Sequence, residues 1–345
     1  MDVLVVGGTG LISTGITRQL VADGHDVTCF TRGETEARVP SEVSFVHGNR
    51  TNREQFDEQV ADLDVDVVVD AICFDPDTAA HAVETFAGEI EQYVFCSTVD
   101  VYRRPLPTNP VDESAPRETD VDGATPVSEY AENKSAAEDV FLEAHDRGDF
   151  ATTVIRPWST YGEGGPVLHT LGTSTAYVDR IRRGEPIVVH GDGQTLWGPC
   201  HRDDVARAFV NAVGNPTSYG EAYHVTSDEV LTWRQYHETV ARALDAPTPE
   251  FVFVPTDVLL AARPEATSLL RDHLQFSTVF DTSKARRDLD FEYAIDFETG
   301  VQRTVAWLDE HDAIEPWDSR PDDVLIDAWR DATDEFLADV SVEQS

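Results

Sequence analysis

The sequence predicts an α/β fold, a doubly wound parallel sheet followed by a smaller C-terminal α/β substrate lobe, on three observations. Short apolar runs alternate with helix-length stretches over the first half of the chain. The first run leads straight into Gly7-Gly8-Thr9-Gly10 and then a helix-length stretch. After Arg156-Pro157 the regularity falls, and Gly, Ser and Thr crowd residues 159–175.

Taken in order, residues 2–6 form the first predicted strand and 11–23 the helix that leaves it. Strands follow at 26–31 and 43–47, then a helix over 52–61 and a strand over 65–71. A helix over 77–87 precedes a strand at 92–97, and a longer helix over 128–146 precedes a strand at 151–155. The helices are long enough for right-handed crossovers between parallel strands, which makes residues 1–160 a Rossmann-type domain. Beyond it, helices near 175–183, 203–213, 231–245 and 297–310 alternate with strands near 187–190, 221–225 and 251–254. We read 161–320 as the substrate lobe, with a segment near 190–225 returning to the first domain. Residues 321–345 are an acidic helix and tail; Leu325, Trp329, Phe336 and Leu337 fall near one side of that helix, so packing or oligomer contact is expected.

Composition bounds the partners. The 345 residues carry 65 acidic against 26 basic side chains, a net charge of −39, and 41% are apolar, which suffices for a large core. Nucleic-acid or anionic-membrane binding through a basic face is disfavoured. Lysine occurs only at 134 and 284, leaving 24 arginines. A surface so acidic repels itself in dilute buffer, whereas at about 1 M salt the Debye length is only ~3 Å. The expected setting is therefore the cytoplasm of a salt-accumulating halophile. Three of the four cysteines, Cys29, Cys73 and Cys96, sit in apolar runs, and no Cys/His cluster has metal-ligand spacing, so buried thiols and no metal are expected. No apolar run approaches the ~18 residues of a membrane helix.

The glycine turn has a chemical purpose. Gly7 permits the tight turn, and Gly10 lets the backbone approach a pyrophosphate at the helix N-terminus, where the amides around Leu11 and Ile12 favour an anion. Ser13 takes the third glycine position, where a small side chain is tolerable. The end of the second strand holds Thr31-Arg32 rather than an acid. Arg32 can pair with a 2′-phosphate, which favours NADP, and its alternative is a solvated turn arginine. Asn49, after the third strand, is placed for an adenine contact.

Tyr130-Ala131-Glu132-Asn133-Lys134 sets a phenol and an ammonium four apart, on one face of the helix. A phenol near pKa 10 is a poor base at neutral pH, and a nearby lysine is expected to lower it. In a chain with two lysines, one retained at this spacing carries weight.

At these residues the sequence resembles the extended short-chain dehydrogenase/reductase superfamily, in its NAD-dependent epimerase/dehydratase group. The resemblance spans roughly residues 1–310 through GGTGLIS, VFCSTVDVY (94–102), YAENK, VIRPWSTYG (154–162), GDGQTLWGPCHRDDVA (191–206) and FDTSKARRDLDF (280–291). It implies an NAD(P) cofactor and a small-molecule substrate. It also implies Tyr130 as general acid/base, Thr98 as hydrogen-bond partner of the reacting hydroxyl with Ser97 as a fallback, and Lys134 on the nicotinamide ribose, with Pro157 at the cofactor. A homodimer through helices flanking Tyr130 is likewise implied. Sugar dehydratases resemble one another in an Asp-Glu pair after the active threonine; here Val99 and Asp100 stand there, which favours an epimerase or dehydrogenase, with Asp100 open to a base or a solvated role. Where nucleotide-sugar members carry a diphosphate-binding arginine, this chain has Trp197, readable as a stacking platform or as core. His201 borders the site or serves structure, and Asp203 and Asp204 are expected to cap the next helix. Two rivals share the fold: a nucleotide-sensing or RNA-associated protein, resembling chloroplast stem-loop RNA-binding proteins, and an NADPH reductase of a non-sugar substrate.

Overall fold

The computed structural model of the chain describes residues 1–35, 37–120, 126–318 and 320–342. Their contacts divide them into two units. The first gathers Met1–Gly162, Gly198–Glu229 and Thr278–Phe297; the second holds Glu163–Trp197, Val230–Ser277 and the chain from Glu298 onward.

Seven parallel strands build the first unit. In chain order they are β1 (Asp2–Val6), β2 (Asp26–Thr31), β3 (Ser44–His47), β4 (Val67–Asp70), β5 (Gln92–Cys96), β6 (Ala151–Pro157) and β7 (Glu221–Val225), laid side by side as β7-β6-β5-β4-β1-β2-β3. The order reverses at β1, so strands on either side diverge and their carboxyl ends open a crevice. Helices α1 (Leu11–Ala22), α2 (Arg53–Val60), α3 (Pro76–Phe86), α4 (Glu129–Arg147), α5 (Arg202–Ala212) and α6 (Ser283–Leu289) cover the two faces. Strand alternation decides which core each residue joins. Val3 and Val5 pack with Ile16, Leu20 and Phe209 on one face, while Leu4 and Val6 pack with Phe56, Phe86 and Phe141 on the other.

The expected strands and long helices of this unit stand within a few residues of their expected limits. The division of the chain differs in detail from the expected one. The single return near 190–225 is in the structure Gly198–Glu229, and a second return, Thr278–Phe297, brings α6. Physical reasons are visible for both. β7 supplies the missing neighbour of β6, paired from Glu221 with Thr153 to Val225 with Pro157. α5 lies so close to α1 that a Cβ on Gly15 would stand 3.0 Å from the Ala206 methyl. α6 is tied to β7 by Lys284, whose ammonium donates to the Ala222 carbonyl at 2.8 Å and pairs with Glu221 at 2.6 Å.

α4 carries the YAENK segment. Its start is fixed by Ser128, which accepts the Ala131 amide at 3.1 Å, and its end by Gly148 at φ +79°, a left-handed cap that glycine adopts without strain. Inside the unit, Glu138 of α4 and Arg156 of β6 form a bidentate pair at 2.9 and 2.6 Å, both buried.

In the second unit Ile187–His190 pairs in parallel with Phe251–Val254. Helices Ala176–Arg182 and Trp233–Ala243 pack a core around Trp233, Tyr177, Tyr236 and His237. The C-terminal helix, Arg320–Val342, buries Ile326 and is held by Asp323 on Arg180 at 3.0 Å. Of the side expected to pack, Phe336 and Leu337 are exposed. Among the described residues no helix is long and apolar enough to cross a membrane.

Replacing Glu138 with Ala strands the Arg156 guanidinium in the core without a counter-charge. We expect a loss of ~3–5 kcal/mol of stability, read from the urea midpoint in molar KCl; a change under about 1 kcal/mol would show that the pair is not buried as described.

Candidate active site

The crevice begins at the glycine turn. Gly7 adopts φ +92° and its amide donates to the Phe30 carbonyl at 2.9 Å, which bends the chain out of β1. Ser13 locks the turn from inside: its hydroxyl donates to the Gly7 carbonyl and accepts the Gly10 amide at 2.9 Å. The serine in the third glycine position is thus a staple across the loop. The amides of Leu11 and Ile12 lie in the first helical turn, where no intrahelical acceptor exists.

Two cavities flank this turn, of about 450 and 350 Å³. The larger is lined by Arg32 and Asn49, the smaller by Leu11, Ile12, Ser97, Thr98, Tyr130, Lys134 and Pro157. Gly7, Gly10, Ile72 and Phe74 line both, so the two form one groove along the carboxyl edge of the sheet. Arg32 is largely exposed, 3.3 Å from Glu34. Asn49 turns its carbonyl onto the Thr51 amide and hydroxyl at 3.1 and 2.9 Å, a local turn that sets its place at the rim.

At the inner end, the Lys134 side chain is 2% exposed and its ammonium donates to the Cys73 and Cys96 carbonyls, each at 2.7 Å. It also sits over the Phe74 and Phe95 rings at 4.9 and 4.8 Å. Thr98 begins a short 3₁₀ turn, Val99–Val101, and accepts the Asp100 amide at 3.2 Å. It lines the smaller cavity together with Tyr130, a residue 42% exposed. The phenol is raised above its ordinary value by burial of its hydroxyl end and by the Asp100 carboxylate, and Thr98 opposes that rise. The expected lowering by Lys134 is therefore not what this site has. The ammonium is occupied by two main-chain carbonyls, and the charge that reaches the phenol is negative.

The other expected site residues divide between the groove and the core. Ser97 lines the groove but gives its hydroxyl to Glu138 at 2.5 Å. Asp100 stands 3.9 Å from Arg104 and acts on Tyr130 through its charge. His201 is fully buried, stacks edge-on to Tyr161 at 5.5 Å and itself caps α5, accepting the Asp203 amide at 3.2 Å. The capping role expected of Asp203 and Asp204 belongs to this histidine; Asp204 instead receives the amides of Ala294 and Ile295 at 3.1 and 3.0 Å. Trp197 lies in the second unit, 3% exposed and 5.5 Å from Trp233, so its indole is core. All four cysteines are free and buried, with burial pushing the Cys73 thiol up to about 12.

Sequence reasoning passed over Phe74, half-exposed between the two cavities, and the buried cluster beneath Thr98. In that cluster burial raises the Glu138 carboxyl, but Arg156 and Arg117 outweigh it and hold it below the usual range. His224 is lowered to about 3 by burial and by Arg156, so it is neutral, and it accepts from the Tyr102 hydroxyl at 2.5 Å. The i, i+4 spacing of Glu138 from Lys134 was the signal available for it.

The groove fits a dinucleotide. It offers a glycine cradle that a Cβ would fill, first-turn amides beside it, and ends distinct in chemistry, one with Arg32 and Asn49, the other with Tyr130 and Lys134.

The profile of the NAD dependent epimerase/dehydratase family matches residues 3–226. The 2′-dehydrokanamycin reductase of Streptomyces kanamyceticus is 30% identical over 281 residues, 81% of this chain and 77% of that protein. The chloroplast stem-loop binding protein of 41 kDa b of Arabidopsis thaliana is 26% identical over 263 residues, 72% of this chain and 65% of that one. Among solved structures, UDP-glucuronic acid 4-epimerase from Bacillus cereus in complex with NAD superposes with a TM-score of 0.68 at 16% identity, covering 90% of this chain and 99% of that one. At that identity the likeness is one of fold.

A Cβ at Gly7 would meet the Ile72 side chain at 2.5 Å in a backbone conformation that L residues avoid. We expect Gly7→Ala to keep the unit folded and to weaken NADP and NAD by at least about tenfold, roughly one hydrogen-bonded contact to phosphate, measured by titration calorimetry. Parent-like affinity would remove the glycine turn from the binding site.

Proposed function

The chain belongs to the NAD-dependent epimerase/dehydratase family, and from that premise we propose that it is an NAD(P)-dependent oxidoreductase or epimerase acting on a hydroxyl of a sugar or nucleotide-sugar-like substrate. The observation that carries this reading is that Thr98, Tyr130 and Lys134 line one cavity at the inner end of a groove that fits a dinucleotide. The bound cofactor supplies the hydride acceptor or donor. Tyr130 moves the proton of the reacting hydroxyl, and Thr98 orients that hydroxyl. Lys134 spends two of its three N–H donors on Cys73 and Cys96 and keeps one for the ribose.

When a ketone is reduced, Tyr130 donates its proton to the forming alkoxide, a sense in keeping with the 2′-dehydrokanamycin reductase among the chain's relatives. Elimination is disfavoured, because Val99 holds the place of an acid and is fully buried. A net charge of −39 opposes the RNA-binding alternative that the chloroplast relative raises. The same charge supports a cytoplasmic home in a salt-accumulating cell, and the family resemblance supports a homodimer. Arg32 at the groove's outer end supports NADP over NAD.

In molar KCl, with a panel of UDP-glucose, UDP-glucuronate, glucose and their keto forms, Tyr130→Phe is expected to lose ~10²–10⁴ in kcat with either cofactor. Unchanged turnover would end the mechanism.

Because the phenol's pKa is raised, its conjugate base becomes available only as pH climbs. Oxidation should accelerate continuously from pH 7 to about 10, and reduction should stay level over that range. Asp100→Asn removes a charge that raises the phenol, so the oxidation profile should shift to lower pH; an unmoved profile would exclude Asp100 from the site's electrostatics.

For the cofactor, Arg32→Ala is expected to weaken NADP about tenfold, the scale of a lost charge-assisted bond to phosphate, and to leave NAD unchanged. Tighter binding of NAD by the parent, indifferent to Arg32, would reverse the assignment.

A further inference from the structure

Three successive residues at the exit of β5 face three residues of α4 spaced one turn apart, and two of them are tied to it. The Cys96 carbonyl receives Lys134 at 2.7 Å, the Ser97 hydroxyl donates to Glu138 at 2.5 Å, and Thr98 shares a cavity wall with Tyr130. Positions 130, 134 and 138 form one stripe of the helix, so the strand exit is buttoned along it. The Ser97 button is anchored from behind. Arg156 grips both Glu138 oxygens, and its remaining nitrogen donates to the Tyr102 hydroxyl at 2.5 Å. Tyr102 closes the 3₁₀ turn that Thr98 opens, its amide donating to the Val99 carbonyl. One buried ion pair therefore holds the chain on both sides of Thr98, at Ser97 before it and at Tyr102 after it.

We propose that Ser97, Glu138 and Arg156 are positioning residues, which place the Thr98 hydroxyl beside Tyr130 by clamping both ends of the turn that carries it. A buried pair of this kind adds little net stability over well-packed apolar residues of the same volume. What a bidentate pair does supply is angle, since guanidinium and carboxylate meet in one plane. That plane sets where Ser97 and Tyr102 stand. Thr98 accepts the Asp100 amide within the same turn, so the place of its hydroxyl depends on the turn being held. Ser97, expected from the sequence to be a substitute for Thr98, becomes its support.

The inference rests on the proposed role of Tyr130, and the test separates the two. Ser97→Ala removes one button and leaves the Glu138–Arg156 pair whole, so the protein should fold and bind NADP within about twofold of the parent. We expect kcat to fall about tenfold or more on the best sugar of the panel, with KM little changed, since small misplacements of reacting groups have effects of that order. The oxidation profile should move to higher pH, because the Thr98 hydroxyl, which opposes the rise of the phenol, is less firmly placed. Ser97→Thr keeps the hydroxyl and should restore both. In protein carrying ¹³Cζ-tyrosine and saturated with NADP, the Tyr130 signal, assigned by its loss in Tyr130→Phe, should shift in Ser97→Ala and return in Ser97→Thr, independently of turnover. A parent-like rate, pH profile and Tyr130 signal in Ser97→Ala would overturn the positioning role while Tyr130→Phe stays inactive; equal damage in Ser97→Thr and Ser97→Ala would assign the effect to packing and overturn it as well. Full activity in Tyr130→Phe would instead overturn the reading beneath it.

Discussion

The inner end of the groove depends on one ammonium and two carbonyls. Lys134 reaches from α4 across the carboxyl edge of the sheet and ties the exits of β4 and β5 at Cys73 and Cys96. A guanidinium is too broad and too planar for that role, whereas an ammonium is a compact point charge with three rotatable donors. The other lysine is used in the same way: Lys284 sits on the Ala222 carbonyl and holds α6 to β7. Both surviving lysines thus serve as internal ties to main-chain oxygens at or near strand ends. Elsewhere arginine carries the positive charge.

This division of labour clarifies the chain's extreme acidity. Repulsion among the surface carboxylates acts on the whole protein and is screened by salt. The ties that shape the groove lie where salt reaches least. Glu138 and Arg156 are buried, Lys134 is 2% exposed, and their partners are fixed by short bonds. A solvent that changes the surface field therefore leaves the register between β5 and α4 largely to the protein's own contacts. Repulsion at the surface thus responds to salt, whereas the buried ties respond to it least.

How much of this was legible follows from contrast. The six strands of the first half and their helices could be read because apolar periodicity is strong there, and Lys134 could be read because lysine is nearly absent. Glu138 bears as much on the geometry of the site, but one glutamate among 65 acids carries no contrast, so the background that exposed Lys134 concealed its neighbour one turn on. Trp197 and His201 stayed open between a site role and a structural one for the opposite reason. Their side chains suit a binding site, yet their burial is decided by residues distant in sequence, Trp233 in one case and Tyr161 in the other. α6 is seven residues long, with a charged SKARRDL sequence and little periodicity, and it takes its place through Lys284 and the core residues Ala285 and Leu289. Local pattern predicts elements that bury a face along their whole length and misses those held by one or two ties.

The direction of the pKa shift at Tyr130 joins these points. The YxxxK spacing alone suggests that the lysine lowers the phenol, but spacing does not say what else the ammonium must bind. Here its two nearest acceptors are carbonyls, and the departures from the dehydratase pattern leave Asp100, with Val99 buried beside it, as the charge facing the phenol. In the segment Thr98-Val99-Asp100, the Asp100 carboxylate adds to the rise that burial of the phenol causes. That segment is held at its ends by Ser97 and Tyr102, which meet at the Glu138–Arg156 pair. A turn so held can present one hydroxyl and one carboxylate to Tyr130 without adjustment. Groups held in this way need no reorganisation when charge develops beside them.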